Sequence, residues 1–151
     1  MVSTVDHLAT GAGVDLLRRG GTAVDAAIGA NAVLSVTSPH LCGMGGDLWA
    51  LVHHAPGAPP ATLDASGRAG SGADPDQARA EGLTRIPLKG SIRATTVPGA
   101  VDGWLALHER FGRLPLDEVF AAAIGLAENG FPVAPLLSRA APLVAGVAHN
   151  E

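Results

Sequence analysis

The stretch "CGMGGDLWALVHH", Cys42 to His54, gathers residue types that could do chemistry: the single thiol of the chain, three glycines in four positions and a histidine pair. Glycines before an apolar run raise phosphate binding first. A dinucleotide fingerprint, however, needs a strand before the glycines and a helix after them, so that pyrophosphate meets the helix N-terminus. Here an apolar helical pattern comes first and a strand-like pattern follows. The spacing Gly43-x-Gly45-Gly46 is wrong, and no Lys-Ser or Lys-Thr completes a P-loop. That order speaks against a nucleotide cofactor.

Cys42 has His40 two residues away, but near neighbours of this kind seldom form a hydrogen-bonded nucleophile and base, and a free cysteine is commonly a small buried apolar residue. His53 and His54 are adjacent on an expected strand and would point to opposite faces, so they cannot jointly ligate one metal ion. His108 lies on the apolar face of an expected helix and reads as a hydrogen-bonded core or interface residue. No metal or other cofactor is expected. Arg68 sits in a Gly-rich loop just after an expected strand. There a guanidinium either recognises a carboxylate bidentately or is simply a solvated loop arginine.

These residues need a scaffold, and 151 residues with a 47% hydrophobic fraction suffice for one domain with a core. That fraction is carried largely by alanine, with 3% aromatic residues and no tyrosine, so the core must be built from small side chains at close backbone distances. The net charge of −4 offers no basic stripe, so neither nucleic acid nor an anionic membrane surface is indicated as a partner. A lone cysteine forms no disulfide framework. The start "VSTVDHLATGAG" lacks the pattern of a signal peptide, and no stretch has the apolar length of a membrane span. The chain reads as soluble and, by default, cytoplasmic.

Helical spacing predicts a first helix over "HLATGAGVDLLRR", closed by Gly20-Gly21. A second begins at a Thr22/Asp25 capping pair and is apolar on nearly every face, hence buried, with Gly29 and its alanines admitting close neighbours. "DLWALVHH" and "ATLDAS" read as an antiparallel pair of strands across the turn "APGAPP". A short helix over 75–82 and a further strand over "SIRATTVPG" follow. Two helices come next. The first carries Val101, Trp104, Leu105, His108 and Phe111 on one face; the second carries Leu116, Val119, Phe120, Ala123, Ile124 and Ala127 and ends at Asn129-Gly130. A last helical segment covers "LLSRAAPLVAGVAHN". Strands do not alternate with helices, so α+β layering is expected rather than a doubly wound sheet.

The residues from His7 to Val52 closely resemble the beginning of the large subunit of the gamma-glutamyltranspeptidase family. Agreement covers Leu8, Ala9, Gly13, Leu17, Gly20, Gly21, the run Ala23 to Ala27, Pro39, His40, Gly43, Gly45 and Gly46. Further on, "TTVPGAVDGWLALHERFGRLPLDEVFAAAIGLAENGFPV" is similar to a second family block. Thr22 stands where the family's "GGNAVDAA" has Asn.

The resemblance implies an N-terminal-nucleophile hydrolase, an αββα sandwich formed from a precursor that cuts itself into large and small subunits. It implies that residues 1–151 are the N-terminal part of the large subunit, without the small catalytic subunit and inactive alone. The implied reaction transfers a γ-glutamyl group from glutathione-like amides to water or an amino acid, through the N-terminal Thr of the small subunit. Thr95-Thr96 is followed by Val97-Pro98 inside the large-subunit block and is not that nucleophile. The implied partners are the γ-glutamyl substrate and the remainder of the precursor.

The family's large subunit also contributes an Arg for the substrate α-carboxylate, in a stretch resembling "D-x-R-E-x-A-P". The corresponding piece here is "DASGRAG", which places Ser66 in the Arg position and Arg68 two places later. Arg68 is the substrate-binding residue if the loop reroutes between Gly67 and Gly70. Otherwise the resemblance points to a related acylase with a non-glutamyl acyl group. A third reading is a non-catalytic interaction module.

Overall fold

The computed structural model describes residues 1–87 and 91–144, so the expected continuation of the last helix past 144 lies outside the described residues. The element order is α1 (His7–Arg18), α2 (Ala23–Thr37), β1 (Leu48–Val52), β2 (Ala61–Ala65), α3 (Pro75–Ala80), a 3₁₀ turn (Ile92–Ala94), α4 (Ala100–Phe111), α5 (Leu116–Asn129) and α6 (Pro135–Val144). Helices thus combine with one antiparallel hairpin, the mixed architecture expected.

Local chemistry sets the helix ends. Asp6 caps α1 by accepting the Leu8 N–H at 2.7 Å. At α2 the capping pair is reciprocal: the Thr22 N–H donates to Asp25 Oδ2 at 2.7 Å, and the Asp25 N–H donates to Thr22 Oγ1 at 3.2 Å. Threonine therefore does at position 22 what an Asn would do as a cap. Gly130, at φ +79°, ends α5.

Nine of the fifteen residues of α2 are buried, and α1, α4 and α5 all pack on it. The approach is close because Gly29 has no side chain. A Cβ there would lie 2.3 Å from Leu16 Cδ1 and 3.0 Å from the Val119 carbonyl oxygen. α4 is tied to α2 by its buried Trp104, whose Nε1–H donates to Asn31 Oδ1 at 2.7 Å, satisfying the one polar atom of the ring.

The same α2 is bound to the α4–α5 connection through a buried carboxylate. Asp25 is fully buried, and its oxygens accept from the Thr22 and Arg113 N–H groups. Burial pushes its carboxyl up, but these bonds, with those from the Thr22 hydroxyl and the Leu114 N–H, outweigh it and hold the group below its ordinary 3.8. His108 Nε2 lies 2.7 Å from the Leu114 carbonyl oxygen, an acceptor only, so Nε2 carries the proton. The residue is a hydrogen-bonded part of the packing, as its helical position predicts.

β1 and β2 pair in the register Leu48↔Ala65 to Val52↔Ala61, and burial alternates along both strands. One face rests on α4, while Trp49 and Leu51 on the other stay 64% and 71% exposed. Three expectations change. On α5 the buried residues are Val119 and Ala123, with Ile124 and Ala127 exposed. The buried face of α4 is Ala100, Gly103 and Trp104, with Val101 and Leu105 exposed, because the hairpin and α2 approach one side together. "SIRATTVPG" is not a strand. Its Ile, Thr and Val content is strand-like, but no strand among the described residues pairs with it; Ser91 instead caps the turn at Arg93 N–H, and Arg93 is drawn to Glu81 at 2.8 Å.

Candidate functional site

The glycine loop makes a structural joint. The Gly46 carbonyl accepts the N–H groups of both Gly99 and Ala100, each at 3.0 Å. Two amides at the start of α4 that would otherwise lack an intrahelical acceptor are thereby satisfied. The loop therefore carries the chain from the C-terminus of α2 to β1 while capping α4, with its own carbonyl in place of a phosphate.

Beside that joint, the end of β2, the 66–68 turn, the 97–99 segment and the first turn of α4 enclose a cleft of about 640 Å³. Its polar side chains are Asp64, Ser66, Arg68 and Asp102, over walls that include Leu63, Ala65 and Val97. Asp64 Oδ1 accepts the Ser66 N–H at 3.0 Å, which turns the chain at the strand end. Gly67, at φ +78°, completes the turn in a conformation that a side chain disfavours.

The consequence is that Ser66 and Arg68 line the same cleft, so the two-residue offset does not carry Arg68 out of it. Arg68 is exposed, and no salt bridge engages it among the described residues. A guanidinium is the side-chain group that can hold a carboxylate through two parallel bonds. Asp102, at the first turn of α4, joins the cleft through the fold alone; an exposed helical Asp carries no local signal that a strand end lies across from it.

The other candidates do not assemble. Both ring nitrogens of His40 are buried without a partner, so no hydrogen bond joins it to Cys42. Burial pushes the Cys42 thiol above its ordinary 9.0, the opposite of an activated nucleophile. His53 and His54 follow β1 as exposed residues, with His54 leaning on the Phe111 ring at 5.8 Å. Thr95 and Thr96 lie within the chain beside the cleft. Among the described residues no three His, Cys, Asp or Glu side chains converge as a metal site, and no helix is long and apolar enough to cross a membrane.

Comparison with known proteins agrees with this architecture. The chain is 41% identical over 133 residues to the glutathione hydrolase-like YwrD proenzyme of Bacillus subtilis, covering 88% of this chain and 25% of that protein. It is likewise 41% identical over 133 residues to the oxamate amidohydrolase proenzyme of Klebsiella pneumoniae, covering 84% of this chain and 24% of the relative. The chain thus spans about a quarter of the length of these relatives. Among solved structures it superposes on the gamma-glutamyltranspeptidase of Helicobacter pylori with a TM-score of 0.85 at 28% identity, over 94% of this chain and 41% of that one. Residues 9–144 match the gamma-glutamyltranspeptidase family as a whole, taking in the capped α2, the glycine joint and the cleft. On this sequence match and shared fold, the chain belongs to the gamma-glutamyltranspeptidase family.

Proposed function

We propose that the chain is the N-terminal part of the large subunit of a self-processed amidohydrolase or acyltransferase, acting on amides whose acyl group carries a carboxylate. γ-Glutamyl amides such as glutathione are the leading donors. The observation that carries this reading is that Arg68, with no salt bridge among the described residues, lines the cleft together with Ser66. In this scheme the rest of the precursor supplies an N-terminal Thr. Its hydroxyl adds to the amide carbonyl, the amine leaves with a proton, and the resulting ester is opened by water or an amino acid. Arg68 holds the acyl carboxylate meanwhile. The exposed Trp49 and Leu51 face of the hairpin is the surface that a second sheet of an αββα sandwich would cover.

Losing one charge-assisted hydrogen-bonded pair is worth about 1.5–3 kcal/mol. In the full-length processed enzyme, Arg68→Ala is therefore expected to raise KM for a γ-glutamyl anilide roughly 10- to 100-fold. An unchanged KM would remove Arg68 from the site.

Ser66 favours a second reading, because it occupies the position where the family pattern has its Arg. On that reading the acyl group is not γ-glutamyl, as with the relative named oxamate amidohydrolase. Side-by-side turnover of γ-glutamyl anilide and oxamate separates the two.

A further inference from the structure

The 66–68 turn is held from a segment thirty residues away. The Thr96 hydroxyl donates to the Ser66 carbonyl at 3.3 Å, and the Val97 N–H donates to the Arg68 carbonyl at 2.8 Å. Between these two ties the chains touch main chain to main chain. A Cβ at Gly67 would lie 1.9 Å from the Val97 carbonyl oxygen and 3.1 Å from Thr96 Oγ1, and one at Gly99 would lie 2.2 Å from the Ala65 carbonyl oxygen. The segment 96–99 is thus a strap laid across the turn.

The two ties hold different peptide units. Val97 fixes the carbonyl of Arg68 itself. Thr96 fixes the Ser66 carbonyl, hence the plane of the peptide that enters Gly67, the residue of the turn with the widest backbone freedom. Rotation of that plane redirects the Cα–Cβ bond of Arg68 even while the Val97 bond persists. A guanidinium that must meet a carboxylate in a two-bond fork is sensitive to such redirection.

We propose that Thr96 is a positioning residue for Arg68: its hydroxyl fixes the direction in which the guanidinium enters the cleft, and so sets affinity for the acyl carboxylate. This rests on the reading of Arg68 as the carboxylate ligand. Thr96 touches no reacting atom, and its effect belongs on substrate binding rather than on the chemical step.

The test uses the full-length processed enzyme, with γ-glutamyl anilide and oxamate as donors. Thr96→Val keeps the shape and removes the donor, Thr96→Ser keeps the donor, and each is also combined with Arg68→Ala. A misplacement on the scale of an ångström can cost up to about 100-fold. The expected result with the better donor is a KM raised roughly 3- to 30-fold by Thr96→Val with kcat within about twofold, recovery in Thr96→Ser, and no further rise when Thr96→Val is added to Arg68→Ala. Three results overturn the proposal while leaving the role of Arg68 intact: an unchanged KM in Thr96→Val, an equal rise in Thr96→Ser, or an effect that simply adds to that of Arg68→Ala. If Arg68→Ala itself leaves KM unchanged, the underlying reading fails and this one with it.

Discussion

The Arg113 N–H donates to both oxygens of the Asp25 carboxylate, at 3.1 Å each, across a separation of 88 residues. This fork joins the N-terminus of α2 to the turn before α5, so one buried side chain both starts the central helix and anchors the helix that packs on it.

Asp25→Ala leaves the N–H donors of Thr22 and Arg113, both in part-buried bonds, without their acceptor. Each donor stripped of its partner costs about 1–3 kcal/mol, so roughly 2–6 kcal/mol of stability is expected to be lost. Chemical denaturation of the full-length protein is the check, and a change under about 1 kcal/mol would mean the capping box is dispensable.

The same carboxylate predicts a pH dependence. Its folded-state pKa lies below the ordinary 3.8, so near that pH the unfolded chain binds more protons than the folded one. The stabilisation is complete above 3.8 and is lost as pH falls through the lowered folded value. Asp25→Asn should flatten this acid limb of a stability-against-pH curve. A limb of unchanged depth in the variant would assign acid unfolding to other groups.

Two helical glycines should respond to alanine with opposite signs. Alanine in place of glycine favours a helix by about 1 kcal/mol. At Gly125 nothing lies within 4 Å of the added Cβ, and Gly125→Ala should raise Tm. At Gly29 the Cβ would meet Leu16 Cδ1 at 2.3 Å and a carbonyl at 3.0 Å. Overpacking of this kind costs about 1–3 kcal/mol, so Gly29→Ala should lower Tm. Equal shifts in the two variants would show that α1 and α5 yield at no cost.

Cys42 should be expendable for turnover. Its thiol is raised by burial and pairs with no base, so Cys42→Ala is expected to leave kcat/KM within about twofold. A loss beyond tenfold would reinstate the thiol as part of the site.

What the sequence reveals here is set by distance along the chain. The start of α2 is legible because Thr22 and Asp25 are three residues apart and their bonds are local. Its burial is legible too, since an apolar surface on all sides has no other outcome. The cleft is not. Thr96 meets Ser66, and Gly46 meets Gly99, only through tertiary packing, and no spacing in the sequence announces either contact. The segment from Ser91 to Gly99 shows the converse error: β-branched residues promise a strand, but a strand requires a partner, and among the described residues β1 and β2 pair only with each other. Arg68 is ambiguous by composition, and the family pattern places Ser66 at its Arg position with Arg68 two places later; that both line one cleft appears only in the fold.

The glycine joint has a consequence for divergence. Gly46 holds Gly99 and Ala100, and Val97 holds Arg68, by main-chain bonds alone. These main-chain ties stand beside two side-chain ones, from Asp64 to the Ser66 N–H and from Thr96 to the Ser66 carbonyl. The side chains of Ser66, Arg68 and Asp102 can be exchanged with these ties intact, whereas a side chain at Gly67 or Gly99 would collide with the facing main chain. Such a frame would tolerate change in a few rim residues while its main-chain ties persist, and the relatives that match this stretch at 41% identity are named for glutathione and for oxamate.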